Sequence, residues 1–114
     1  MSSCLFCRII SGEIPATRVF EDDQMVAFND ITPVAPLHVL IVPRRHIATL
    51  NDLTPDDDGL VGAMTRRAAA IAGANGYDAS GFRTVFNCNR DAGQAVFHIH
   101  LHLVAGRVLT WPPG

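Results

Sequence analysis

Apolar residues fall along this chain in short blocks whose spacing alternates between helical and extended periods. Leu5, Phe6, Ile9 and Ile10 recur at helical spacing and are closed by Gly12, which predicts a short N-terminal helix that Pro15 stops. Arg18 to Glu21 and Met25 to Asn29 are β-prone stretches on either side of Asp22-Asp23, acidic residues suited to a tight turn, so they predict a hairpin. A loop with two prolines, Asp30 to Pro36, leads into His38-Val39-Leu40-Ile41-Val42, a third strand ended by Pro43. Its uniformly apolar middle implies that neither face meets water.

The second half opens on a strong helix start. Thr54 is an N-cap residue, Pro55 suits the first helical position, and Asp56, Asp57 and Asp58 put negative charge at the positive end of the helix dipole. Leu60, Val61, Met64, Ala68, Ile71 and Ala72 continue with helical period until Gly73 and Gly76 supply the stop. Phe82 to Asn87 and Val96 to Leu103 read as the fourth and fifth strands, with the polar loop Cys88 to Gln94 between them. Five strands, one long helix and one short helix predict an α+β domain in which helices cover an antiparallel sheet. With no repeat and no linker, residues 1–114 are expected to form a single domain.

Composition narrows the function classes. The chain of 114 residues is 48% hydrophobic and 18% charged, the profile of a globular protein rather than a disordered one. Its net charge is −2, and Arg44-Arg45 and Arg66-Arg67 are its only paired basic residues, so a nucleic-acid polymer is not an expected partner. No basic segment precedes the first apolar residues, Arg8 interrupts them, and no apolar run reaches the ~20 residues of a membrane helix. A cytoplasmic protein is the expectation. Three cysteines, Cys4, Cys7 and Cys88, are an odd number and point to thiols or metal ligands rather than a disulfide framework.

The candidate chemistry lies with five histidines: His38 at the start of a strand, His46 just past its end, and His98, His100 and His102 in alternation. In a strand the last three would share one face at roughly 7 Å intervals, with Phe97, Ile99, Leu101 and Leu103 turned to the core. A face of imidazoles makes sense where the rings converge on a ligand or metal. A metal held by all three is disfavoured, because the third ring sits too far along the strand. The pair Cys4-x-x-Cys7 is compatible with zinc, a redox site or buried thiols.

The run Gly93-Gln94-Ala95-Val96-Phe97-His98-Ile99-His100-Leu101-His102-Leu103 resembles the signature of the histidine triad (HIT) superfamily. Phe28-Asn29-Asp30-Ile31, Pro36-Leu37-His38, Val42-Pro43-Arg44-Arg45-His46, Gly106-Arg107 and Trp111-Pro112-Pro113-Gly114 extend the resemblance to the Hint branch of nucleoside phosphoramidate hydrolases, from about Leu5 to Gly114. The resemblance implies a HIT-like fold and an adenosine 5′-monophosphoramidase-type hydrolase acting on purine nucleoside 5′-phosphoramidates or aminoacyl adenylates. It implies His100 as nucleophile, forming a nucleotidyl-histidine, with His102 and His38 binding phosphate and moving protons. Asn87 and the backbone of Gly93, Gln94 and Ala95 match phosphate contacts, and Asp30 matches the carboxylate that accepts the ribose hydroxyls. Phe6, Ile9, Phe28, Ile31 and Leu40 match the apolar surround of the base, although core packing explains such residues equally.

The resemblance further implies a structural zinc on Cys4, Cys7, His46 and His98, and, in the absence of a carboxylate cluster, no catalytic metal. It implies a homodimer that pairs its long helices and fifth strands into a ten-stranded sheet, with Trp111 of the tail reaching the partner's site. Met64, Ala68 and Ile71 suit such a helix pairing or ordinary core burial. Ala95 departs from the pattern: the Hint branch usually carries a serine or threonine there, linked to protonating the leaving amine. That departure sustains an alternative, a purine nucleotide-binding regulatory module with weak hydrolysis. A dinucleoside polyphosphate hydrolase is the third reading.

Overall fold

A computed structural model describes residues 3–114; Met1 and Ser2 lie outside the described residues. In chain order the elements are α1 (Leu5–Ile10), β1 (Arg18–Glu21), β2 (Met25–Asn29), β3 (Leu37–Pro43), α2 (Asp58–Ala74), β4 (Phe82–Val85) and β5 (Leu101–Ala105). Three 3-10 turns stand at Leu50–Asp52, Pro55–Asp57 and Arg90–Ala92. The strands form one five-stranded sheet in the order β1-β2-β3-β5-β4, antiparallel throughout. The hairpin β1–β2 turns on Asp22, whose Oδ1 accepts from the amides of Gln24 (2.8 Å) and Met25 (2.9 Å).

The sheet divides the core in two. Odd-numbered residues of the central strands, among them Met25, Ala27, Val39, Ile41, Leu101 and Leu103, pack against Met64, Ala68, Ile71 and Ala72 of α2. Even-numbered residues Val26, Phe28, Leu40 and Val42 pack against Phe6 and Ile9 of α1. Helices on both faces are why β3 reads as a continuous apolar run. Met64 and Ala68 are fully buried and Ile71 nearly so within one chain, so these residues belong to its own core and cannot form a helix-pairing surface between chains.

The long helix begins later than the sequence predicts, at Asp58, because Thr54 and Pro55 start a 3-10 turn instead. Pro55 opens a 3-10 turn, and buried Asp57 accepts from the Thr54 amide (2.9 Å) while pairing with Arg45 through its other oxygen. Four further expectations need correction. β5 starts at Leu101 rather than Val96, so of the three alternating histidines only His102 lies in a strand. Phe97 is 49% exposed and is not a core residue, whereas Ile99, Leu101 and Leu103 are buried. β5 lies between β3 and β4, so the free edges of the sheet belong to β1 and β4, and a sheet continued into a second copy cannot run through the fifth strand. The fourth strand also ends early, at Val85, which releases Phe86 and Asn87 into a loop.

Candidate active site and metal centre

On the α1 side of the sheet lies a cleft of about 340 Å³. Phe6 and Ile9 of α1, Phe28 of β2 and Leu40 of β3 wall it, joined by Asp30 and Ile31. Its other end is formed by His100, His102, Asn87, Gly93 and Ala95. Eleven of the fourteen residues expected to react or to bind substrate therefore meet in one space. His38 stands behind His102, and Trp111, 81% exposed, lies outside the cleft. Gln94 is buried and turned away from the cleft: its Oε1 accepts from the Asn89 amide (2.9 Å) and its Nε2 donates to the carbonyls of Ala48 (2.8 Å) and Val96 (3.1 Å). It clasps the loop that holds Gly93, which is left-handed at φ 77°.

Leu5, Ile14, Pro15, Ala16, Asn29 and Val96 also line the cleft and were not expected to. Val96, Asn29 and Leu5 carried a signal, each standing beside an expected site residue. Arg18 was missed as well; its Nη2 donates to the carbonyls of Ile9 (2.8 Å) and Ile10 (3.1 Å), satisfying the C-terminal end of α1.

Hydrogen bonds assign the imidazole tautomers. His100 Nδ1 lies 2.8 Å from the His98 carbonyl and donates to it, so the lone pair of His100 is on Nε2. The Val34 amide donates to His38 Nδ1 (3.1 Å), which puts the His38 proton on Nε2. That N–H faces His102 Nδ1 at 2.9 Å and Asp30 Oδ2 at 3.4 Å, so His102 accepts on Nδ1 and keeps its own proton on Nε2. Asp30, His38 and His102 bring donor atoms close enough to suggest a metal cage. The proton on His38 Nε2, the atom facing the other two, makes them a hydrogen-bonded relay instead. Burial holds the His100 imidazole below its ordinary protonation range, against the opposing effects of the His98 carbonyl and Asp30. His102 is pushed down to about 4, chiefly by burial and then by His100 and His38, so near neutral pH it is an uncharged donor.

Beside the cleft, Cys4, Cys7, His46 and His98 bring one ligand atom each within 4.8 Å of one another. His98 Nδ1 is 3.4 Å from Cys4 Sγ, 3.6 Å from Cys7 Sγ and 3.2 Å from His46 Nδ1, and Cys7 Sγ is 3.4 Å from His46 Nδ1. A tetrahedral zinc with ordinary Zn–S and Zn–N bonds requires S···N edges of about 3.5 Å and an N···N edge of about 3.3 Å. The residues fit the ion. The tautomer fits too, because His98 Nε2 donates to the Pro43 carbonyl at 2.7 Å and leaves Nδ1 as the lone-pair nitrogen, the outer hydrogen bond usual for a metal-bound histidine. Cys4 is also the N-cap of α1 and its sulfur accepts from the Cys7 amide.

Known proteins resemble this chain along most of its length. Residues 3–109 match the family described as "Scavenger mRNA decapping enzyme C-term binding". The chain is 45% identical over 105 residues to the purine nucleoside phosphoramidase of Escherichia coli, covering 92% of this chain and 88% of that one. A HIT family hydrolase from Legionella pneumophila superposes with a TM-score of 0.96 at 55% identity, over 98% of this chain and all of the other. A zinc-bound histidine triad family protein from Mycobacterium smegmatis superposes at 0.81 with 39% identity, over 92% and 76% of the two chains.

Proposed function

Because the chain belongs to the histidine triad family, we propose that it is a hydrolase that cleaves purine nucleoside 5′-phosphoramidates or aminoacyl adenylates and releases the nucleoside monophosphate. The observation that carries this reading is His100, tied through Nδ1 to a backbone carbonyl and left with its lone pair on Nε2, in a cleft with an apolar wall and one carboxylate. The base lies among Phe6, Ile9, Phe28, Ile31 and Leu40, and Asp30 accepts from the ribose hydroxyls.

His100 Nε2 attacks the α-phosphorus, the bond from phosphorus to the amine or acyl oxygen breaks, and that pair of electrons leaves with the departing group. Water then attacks the phosphorus, the P–N bond to His100 breaks, and the imidazole returns to its resting tautomer. His102 Nε2–H, held as a donor by His38, binds a phosphate oxygen, and Asn87 with the Gly93–Ala95 backbone adds further donors where charge develops. A zinc ion on Cys4, Cys7, His46 and His98 is structural, since four protein ligands leave no open position.

We further propose a homodimer. β4 is a sheet edge, and beside it a groove of about 560 Å³ runs from Tyr77 to Leu109 with no histidine in its lining. Phe82, Val108 and Trp111 are exposed on this side of the chain's end.

Purified protein should release the amine from a fluorogenic adenosine phosphoramidate faster than it cleaves diadenosine compounds. Acid quench during turnover should trap α-phosphate label on a histidine, and His100→Ala should remove both signals while retaining purine monophosphate binding. Unchanged turnover in that variant would end the role of His100. Binding without hydrolysis in the unaltered protein would favour the regulatory-module reading, which Ala95 supports.

A further inference from the structure

The segment that carries His100 has almost no regular structure to hold it. β5 begins only at Leu101, so residues 96–100 have no partner in the sheet ladder, and one backbone bond, Ile99 N–H to the Ile47 carbonyl (2.7 Å), ties them to the β3 side. Gln94 holds the Val96 carbonyl (3.1 Å) and Ile99 is buried, and the restraint next to His100 itself comes through His98. Its ring is gripped on one side by the Pro43 carbonyl and on the other faces the three ligand atoms of the metal centre. Its backbone carbonyl is the group that fixes the tautomer of His100. Phe6, two residues from Cys4, adds a second link by setting its ring edge-on to both His100 (4.9 Å between centroids) and His98 (6.0 Å).

The base-binding wall is anchored differently. The C-terminal end of α1 is held by Arg18, and Phe6 and Ile9 are buried against β2 and β3, anchors that add to Cys4 and Cys7, the two ligand residues at the N-terminal end of the same helix. The wall thus keeps anchors that no metal supplies, whereas the orientation of His100 runs through His98.

We infer that the Cys4–Cys7–His46–His98 centre is a positioning device for the reacting histidine: an ion held there fixes His98, and His98 fixes the orientation of His100. This rests on the reading of His100 as nucleophile. Metal occupancy should accordingly govern kcat far more than nucleotide affinity. Misplacing a nucleophile by about 1 Å costs on the order of 100-fold.

The test compares zinc-loaded protein, chelator-stripped protein and Cys7→Ser with His46→Cys, which keeps four good ligands. In stripped protein and Cys7→Ser, kcat should fall by about 10-fold to 100-fold while affinity for adenosine monophosphate, measured by calorimetry, is held. His46→Cys should retain zinc and most of kcat. A second readout needs no turnover: the His100 Nδ1–H should give a slowly exchanging proton signal, assigned by its loss in His100→Gln, present with zinc and broadened or lost without it. Failure of the hydrolysis reading would leave that signal's metal dependence intact. A signal and kcat indifferent to metal would overturn the inference, as would parallel loss of kcat, nucleotide affinity and thermal stability, or purified protein that binds no zinc.

Discussion

Single atoms decide much of this site. Ala95 lines the cleft with a methyl group, and in the proposed reaction a hydroxyl at this position would meet the leaving amine. Ala95→Ser should therefore raise phosphoramidate turnover by about tenfold or more, with steady-state kinetics as the check, because a placed proton donor contributes at least that much. Flat activity would mean that His102 already supplies the proton. His102 also makes a prediction for acid. The free imidazole protonates near 6.5 and the folded one near 4, so unfolding takes up a proton between those values. Stability should fall as pH drops from 6.5 towards 4, level off below, and show no contribution from His102 above 6.5. Thermal melts of His102→Asn across this range should have a flatter slope than those of the unaltered chain. At this scale the sequence is informative where a residue type is chemically specialised: the histidines, Asp30, Cys4 and Cys7 gather at the cleft or the ligand cluster, while Cys88 joins neither. Cleft-lining Ile14, Pro15 and Ala16 were invisible, because ordinary loop residues acquire a role only when the chain folds them against α1.

Among the elements, α1, β1 and β2 match their expected bounds, since each is a short periodic block closed by a turn residue. β5 was misplaced because Val96 to Leu103 alternates like a strand, yet its first five residues are held by side chains and by Ile47 rather than by a neighbouring strand. Alternation reports which side each residue takes, and it does not report whether a ladder exists. The start of α2 offers a stability test. Asp57, 3% exposed, accepts from Thr54 and pairs with Arg45, the residue before the ligand His46. Asp57→Ala removes the bond to Thr54 and leaves Arg45, itself mostly exposed, without its partner; a loss of about 1–2 kcal/mol is expected from denaturant unfolding. A loss under about 0.5 kcal/mol would show that the pair is ordinary surface electrostatics.

For the molecule as a whole, β4 is one of two free sheet edges, and if the proposed dimer forms, light scattering at micromolar concentration should report twice the mass of one chain. Phe82→Lys, a charge placed on that edge, should shift the population to monomer. Deleting Trp111 to Gly114 should alter preference among leaving groups more than nucleotide affinity; unchanged selectivity would confine the tail to its own chain. No described helix is long and apolar enough to cross a membrane. The metal centre has one more consequence, for the timing of assembly. Cys4 and His98 are 94 residues apart, while Cys7 and His46 are separated by 39, so a growing chain offers at most three of the four ligands until nearly all of the sheet has been made. A tight complex must then wait for β3 to be in place, because Pro43 orients His98 for the ion. On the proposed zinc centre, loading is a late event in the birth of the protein, and in a cell starved of zinc the Pro43 carbonyl alone would grip the His98 ring.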